Sequence, residues 1–518
     1  MTDPIARARR DTVGDALRRA ARVHRDREAL VFDGRSWSFA ALDAGADRIG
    51  AHLLGLGLRP GDRVAAFARN SDAYMLLWLG CARAGLVHVP VNYALTGSEL
   101  AYIVGQSGAR ALFAAASLEP ALAAVRGQVE MLRRLEPAGE DGLATIARAA
   151  APPDPPPDPP IDENSLAQIV YTSGTTAAPK GAMMTHRAML AEYAAVIHHF
   201  ECRADDRALA ALPLYHTAQM HAFTMPQLLA GARTVLIEAP EPATVLRLIE
   251  AERITSFFAP PTVWISLLRH PDCARRDLSS LTHIYYGASI MPVPVLAELR
   301  ARLPGARPFN AYGQTEIAPL ATVLRPEEHD ARPASAGRPA INVETRVVDP
   351  DMNDVPPGVH GEIVHRSPHL LVGYWDKPAE TAEAFRGGWF HSGDVGYFDA
   401  AGYLYIVDRI RDVINTGGVL VASREVEEAL FTHPSVSEVA VVGLPDAKWI
   451  EAVTAFVVLR AGQDADAAAL IAHARTHLAP FKLPKRVVFV DELPRNTAGK
   501  LLKRELRRQH ATETRGQE

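Results

Sequence analysis

The chain has 518 residues, 48% of them hydrophobic, and 55 Lys and Arg stand against 60 Asp and Glu for a net charge of −5. That much apolar material can build several packed cores, so two or more domains are expected. The near-neutral balance excludes a general attraction to nucleic acid or anionic membrane, and no run of about 18 uncharged apolar residues offers an integral membrane span. Cys81, Cys202 and Cys273 lie far apart in no metal or redox spacing, as small buried side chains in a reducing compartment would. Residues 1–20 alternate Asp with Arg and carry no apolar h-region, so no signal or transit peptide is read there and the expected location is cytoplasmic.

Apolar residues recur at helical spacing over 13–24 and 38–56. Short apolar runs at 63–68, 87–91 and 109–114 alternate with helical patterns at about 73–84 and from about 98, and that alternation implies a parallel sheet covered on both faces. Residues 152–160 hold seven prolines and two aspartates, which reads as an extended, exposed linker. Next, Leu166, Ile169, Val170 and Tyr171 form a short buried strand that empties into Thr172, Ser173, Gly174, Thr175, Thr176, Ala177, Ala178, Pro179, Lys180 and Gly181. Hydroxyls, backbone N–H groups freed by Gly174 and Gly181, and the Lys180 cation supply many donors and almost no negative charge, which suits a polyphosphate. The Walker pattern is absent, since Lys180 stands between Pro179 and Gly181. Thr185 then caps a helix with Met189, Leu190, Tyr193 and Ile197 on one face.

In 212–217 and just beyond, His216 and His221 lack a third ligand-like partner, which argues against a metal pair. Residues 255–264 read as a strand leading into a helix, and 283–289 as a buried strand ending in Gly287, Ala288 and Ser289, small enough for something to approach the backbone. In Asn310-Ala311-Tyr312-Gly313-Gln314-Thr315-Glu316, the Tyr312 ring can stack on a base and the Thr315 hydroxyl can reach a phosphate. The Glu316 carboxylate is a hard oxygen ligand of the kind Mg²⁺ prefers. Asp394, within 389–396, can accept two hydroxyl hydrogen bonds at once, as a ribose presents them, and a strand over 402–409 ends at Asp408 and Arg409. Beyond it the texture changes. A helix near Ser423 with Glu425, Glu427 and Glu428 in its first turns, strands at 436–442 and 452–459 and a helix over 465–477 make a small α+β unit. The turn 493–500 ends in Gly499-Lys500 and is followed by a basic helix to about 509.

In register, these motifs resemble the adenylate-forming superfamily: acyl-CoA synthetases, aryl-CoA ligases, luciferases and adenylation domains. The resemblance covers nearly all of 12–509, including the wording at 83–92. The chain departs from it at Ala177, where the family has glycine and a Cβ makes a positive φ costly. It departs again after Gly417-Gly418, where Val419-Leu420-Val421-Ala422-Ser423 replaces the usual Glu-Asn wording. The resemblance implies an α/β fold: a large N-terminal domain of layered, parallel-rich sheets with helices over 1–410, and a small α+β C-terminal domain over 411–518, joined by a hinge at Arg411. It implies ATP, Mg²⁺ and CoA, and a carboxylic acid substrate, fatty or another apolar acyl or aryl acid, that is activated to acyl-AMP and passed to CoA. A non-CoA acceptor is the alternative, and a homodimer is left open.

Residue by residue, the resemblance implies Lys500 as the catalytic lysine, acting with Thr315 and Glu316, and His216 as a gate beside the acyl and CoA channels. A satisfied structural histidine is the other reading of His216. Nucleotide binding falls to Thr172, Ser173, Gly174, Thr175, Thr176, Lys180, Gly287, Ala288, Ser289, Asn310, Ala311, Tyr312, Gly313, Asp394 and Arg409, with Glu316 and Thr175 on the metal. Gly417 and Gly418 are assigned to CoA, with Arg424 outside the tunnel to meet its phosphates. The pocket candidates are Tyr215, His216, Met220, His221, Trp264, Tyr286, Gly287 and Ile317, mostly apolar. Intact Lys500, Glu316 and Asp394 argue against a non-catalytic binding protein of the same fold.

Overall fold

Ser71 accepts a hydrogen bond from the Tyr74 N–H and starts the helix Asp72–Ala84, every residue of which is buried before Gly85 ends it. An arginine is tolerated inside this helix because Asp43 and Asp47, on the neighbouring helix Phe39–Gly55, take the Arg83 guanidinium at 2.5 and 2.6 Å. The computed structural model describes residues 4–136, 139, 142–149, 157–172, 178–289, 291–410, 412–417, 419–446, 448–497 and 499–510.

The described residues form four sheets. One has six strands in the order Met131–Arg134, Ala111–Ala114, Arg63–Phe67, Val87–Val91, Leu166–Thr172 and Lys180–Thr185, parallel throughout except for the last pair. A second has nine strands, whose parallel centre runs from Arg307–Gly313 through His283–Gly287, Ser256–Phe258, Arg207–Ala210 and Arg233–Leu236 to Glu28–Phe32. The third is antiparallel, built from Glu344–Val348, Gly361–Arg366, Phe390–Phe398 and Leu404–Arg409. Together these make the large N-terminal α/β domain; parallel strands such as Arg63–Phe67, Val87–Val91 and Ala111–Ala114 are buried almost throughout, as strands covered on both faces are. The fourth sheet, Ile414–Thr416, Val419–Val421, Val436–Asp446, Ile450–Leu459 and Arg486–Phe489, belongs to the smaller C-terminal domain, which has its own core around Val426, Leu430, Val441 and Val453.

The Thr185 cap is where the sequence put it, and a second cap joins it. Thr12 and Asp15 close a capping box on the helix Val13–His24, and the Thr185 hydroxyl caps His186–His199 by accepting from the Ala188 N–H. Three expectations change. The phosphate-loop segment does not run straight into that helix: Lys180–Thr185 returns first as a strand antiparallel to Leu166–Thr172. The hairpin of Glu28–Phe32 and Arg35–Ser38 was hidden because its second strand, Arg-Ser-Trp-Ser, carries one apolar residue among three polar ones. The proline linker is not free where it is described. Asp158 pairs with Arg7 and Arg10 at 2.7 and 2.6 Å, and Pro157 and Pro159 pack toward Gly50 and Gly85. Its residues 152–156 lie outside the described residues, as does the expected hinge residue Arg411.

Candidate active site

Glu316 lies where the two large sheets meet. It sits on a short turn, Thr315–Ile317, just past the strand Arg307–Gly313, and the Leu371 N–H donates to its carbonyl at 2.8 Å. Residues 371–375 lie along the strand Lys180–Thr185: Met183 and Trp375 donate backbone hydrogen bonds to Gly373 and Gly181 at 2.9 and 2.8 Å, and Tyr374 bridges Ala182. That placement lets the Tyr374 hydroxyl donate to Glu316 Oε1 at 3.1 Å, while the Thr172 hydroxyl donates to the same oxygen at 3.3 Å. Lys180 Nζ lies 5.2 Å from the centre of the Tyr374 ring. Burial and then the Glu316 charge push the Tyr374 phenol above its ordinary range, so it stays a donor. Thr315 is held from the other side, its hydroxyl 3.2 Å from that of Thr217.

Asp394 occupies the middle of the antiparallel sheet and is buried. Tyr312 donates its hydroxyl to Oδ2 at 2.8 Å, Arg409 Nε lies 3.3 Å from Oδ1, and the Asp394 N–H donates to Ser392 Oγ at 3.0 Å. At the end of the strand His283–Gly287 the backbone runs close to Arg307–Gly313. A Cβ on Gly287 would stand 2.2 Å from the Ala311 carbonyl oxygen, so only glycine fits there. Ala288 follows it, exposed and in the left-handed region at φ 62°, a conformation that costs an alanine about 1 kcal/mol. Asn310 turns away from this surface; its amide donates to the Ser335 carbonyl at 2.9 Å and it is buried in the fold.

Lys500 arrives from the C-terminal domain on a turn closed by two hydrogen bonds of 2.9 Å, Lys500 N–H to Asn496 Oδ1 and Asn496 N–H to the Lys500 carbonyl. It lies close enough to His216 that burial first, and the Lys500 charge second, push that imidazole down to about 4. Ser173, Gly174, Thr175, Thr176 and Gly418 lie outside the described residues. Gly417 donates its N–H to the Trp449 carbonyl at 2.6 Å, with Val419 and Leu420 exposed on the hairpin beyond it. Arg424 is not free for a ligand phosphate: it is held by Glu428 at 2.9 Å, only 16% of its side chain is exposed, and burial lowers its pKa.

Of the pocket candidates, Tyr215 and His216 are half-buried at the Lys500 turn. The others fill the packed interior. His221 bonds Tyr193 at 2.6 Å and Gln168 at 2.9 Å, the Trp264 indole donates to the Tyr285 carbonyl at 3.1 Å, Tyr286 bonds His329 at 2.9 Å, and Met220 and Ile317 are fully buried. Sequence reasoning missed Tyr374 and Thr217. The one available signal for Tyr374 was a glycine-aromatic pair, Gly373-Tyr374, in a stretch with no periodicity.

Among the described residues, no group of three or more His, Cys, Asp or Glu side chains could hold a metal ion. Glu316 supplies a single carboxylate beside the hydroxyls of Thr172 and Thr315. Such a donor set fits Mg²⁺, which keeps waters and takes ligand phosphate oxygens around one or two carboxylates.

His216 is expected to stay neutral between about pH 5 and 8. Its folded pKa lies below the ordinary 6.5, so the neutral form is the one the fold favours and stability falls as pH drops from 6.5 toward 4. In Lys500→Ala the second cause is removed and the pKa rises. Imidazole resonances followed by NMR across the range check both statements; a wild-type His216 titrating near 6.5 would contradict the first.

The chain is similar to known proteins along most of its length. A family model described as AMP-binding enzyme matches residues 17–375, and one described as AMP-binding enzyme C-terminal domain matches 425–500. A feruloyl-CoA synthase from Amycolatopsis is 38% identical over 493 residues, 95% of this chain and 97% of that one. The crystal structure of ATP-bound MatB from Rhodopseudomonas palustris superposes with a TM-score of 0.89 at 31% identity, covering 97% of this chain and 100% of that one. The amide bond synthetase McbA from Marinactinospora thermotolerans superposes with a TM-score of 0.86 at 32% identity, covering 95% and 99%. The chain belongs to the AMP-binding enzymes, as an AMP-forming ligase of the acyl-CoA synthetase kind within the adenylate-forming superfamily.

Proposed function

We propose that this AMP-binding enzyme activates an apolar carboxylic acid, fatty or aryl, with MgATP and transfers the acyl group to CoA. The observation that carries the reading is the convergence of Glu316, Asp394 and the Lys500 turn, from three separate parts of the chain, around the strand ends at Gly287 and Gly313. The acid class rests on the apolar side chains beside the Lys500 turn, Tyr215 and Val263 among them, with no Arg or Lys among the pocket candidates, and on the aryl substrate of the feruloyl-CoA synthase relative.

In the first half-reaction a carboxylate oxygen attacks the α-phosphorus of ATP. The bond from that phosphorus to the bridging oxygen breaks, and pyrophosphate leaves with its electron pair. The chain contributes position and charge. Asp394, oriented by Tyr312 and Arg409, accepts the ribose hydroxyls; Lys180 and the backbone beside Gly287 lie against the phosphates; the Lys500 ammonium spans carboxylate and phosphate oxygens as negative charge builds between them. A neutral His216 beside it adds no competing charge. Glu316, with Oε1 fixed by Thr172 and Tyr374, would hold Mg²⁺, whose contribution when bound is to neutralise phosphate charge.

In the second half-reaction the CoA sulfur attacks the acyl carbon, the bond from that carbon to the phosphate oxygen breaks, and AMP leaves. On this reading the domain boundary falls at 410/411, with Arg411 as the pivot that withdraws Lys500 and brings up the loop at Gly417-Gly418, followed by the apolar Val419 and Leu420. A second reading, transfer to an amine, is favoured by two observations: the altered wording after Gly418 and the likeness to an amide bond synthetase.

Mass spectrometry of reactions with MgATP, graded acids and CoA separates the readings. Acyl-CoA is expected for each acid that is activated; acyl-adenylate accumulating without thioester would overturn CoA as acceptor. Lys500→Ala should depress pyrophosphate release by several orders of magnitude and leave thioester formation from supplied acyl-AMP nearly intact, whereas equal loss in both steps would contradict its role. Asp394→Ala should raise KM for ATP, because ribose contacts are made in ground and transition states alike, while Glu316→Ala should chiefly lower kcat and raise the Mg²⁺ requirement. An unchanged ATP affinity in Asp394→Ala, by direct titration, would remove the ribose assignment.

A further inference from the structure

The turn that carries Lys500 touches the large domain at three side chains outside the nucleotide site. The Thr262 hydroxyl donates to the Gly499 carbonyl at 3.0 Å. The Thr497 hydroxyl donates to Asn92 Oδ1 at 3.3 Å and also bonds the Tyr215 hydroxyl. These partners come from three places in the fold: Asn92 follows the strand Val87–Val91, Tyr215 precedes the π-helical turn Ala218–Thr224, and Thr262 lies in the first turn of the helix Pro261–Arg269. Two of them are fixed in advance. Asn92 Oδ1 already accepts the Ala94 N–H at 3.0 Å, and Tyr215 meets the Tyr93 ring edge-on at 5.8 Å, with the Arg69 guanidinium over Tyr93 at 4.7 Å. The fit is tight. A Cβ on Gly499 would stand 2.9 Å from Thr262 Oγ1 and 3.3 Å from Pro260 Cγ, and the residue holds a left-handed φ of 80°.

We propose that Asn92, Tyr215 and Thr262 form a docking cradle that receives the Lys500 turn during acyl-adenylate formation and so positions the lysine ammonium beside His216. The inference rests on the acid-activating function proposed above. A lysine ends a flexible four-carbon stem and cannot place its own charge; its reach is set by the backbone it leaves from. That turn is held across the domain junction by neutral hydrogen bonds at Thr497 and Gly499. Each is worth about a fivefold bias, enough together to dock the turn and weak enough to let it leave when the second half-reaction needs the space. The three side chains are positioning residues: they act through Lys500 and touch no reacting atom.

The test uses the full chain. Thr262→Val keeps the shape and removes the hydroxyl, and Gly499→Ala fills the gap. Pyrophosphate release is expected to fall about fivefold in Thr262→Val and further in Gly499→Ala, with thioester formation from supplied acyl-AMP unchanged. In a Lys500→Ala background Thr262→Val should cost nothing more, since the cradle has no ammonium left to place. Backbone hydrogen exchange over 493–502 should quicken in Thr262→Val, a readout that needs neither acid nor CoA. Equal losses in both half-reactions, an additive loss in the Lys500→Ala background, or unaltered exchange would each overturn the cradle. Failure of the parent reading looks different: wild type would then release no pyrophosphate with any acid, whereas normal wild-type release with an unaffected Thr262→Val sinks the cradle alone.

Discussion

Two carboxylates, each held by a tyrosine hydroxyl from a distant segment, are the constraint around which this site is arranged. Tyr374 donates to Glu316 at 3.1 Å and Tyr312 to Asp394 at 2.8 Å. Burial and the neighbouring charge push both phenols upward, so neither competes as an anion. A hydroxyl donor fixes a carboxylate without neutralising it, and an ionised carboxylate has acceptor sites to spare. Charge is therefore kept available for a ligand, at a buried Asp394 and a half-buried Glu316.

A different polar device lies beneath. His88, Gln168, His221 and Tyr193 form a continuous buried chain, with contacts of 3.0, 2.9 and 2.6 Å. It joins the strands Val87–Val91 and Leu166–Thr172 to the turn that follows His216. Burial drives His88 and His221 down to about 3, so this chain holds its neutral form at any ordinary pH. His216, at the edge of the same region, is lowered partly by Lys500 and so reports whether the lysine is in place. The deep histidines belong to the fold and the shallow one to the site.

Neutral hydrogen bonds hold the Lys500 turn against the large domain. Ion pairs appear farther out, as with Lys503 to Glu427 at 2.8 Å within the C-terminal domain, while the Ser423 N–H and hydroxyl both reach Asp408 at 2.7 Å across the junction. At the Lys500 turn the contacts are individually modest, which suits the change of position proposed between the two half-reactions.

The sequence by itself determined the fold class, most strands and helices, the cap at Thr185, and the chemical character of the segments holding Lys180, Glu316, Asp394 and Lys500. These were legible because each signal is local: apolar periodicity, a cap, or a cluster of hydroxyl, glycine and charged residues within a few positions. Only the tertiary structure decided which groups meet. Tyr374 and Glu316 are 58 residues apart, Tyr215 and Thr497 282, and no periodicity encodes a contact across such distances. The same limit explains the pocket candidates: His221, Trp264 and Tyr286 have the composition of a binding wall. Their partners, Tyr193 and Gln168, the Tyr285 carbonyl and His329, make them interior, because a buried polar atom must be satisfied by whatever the fold brings beside it.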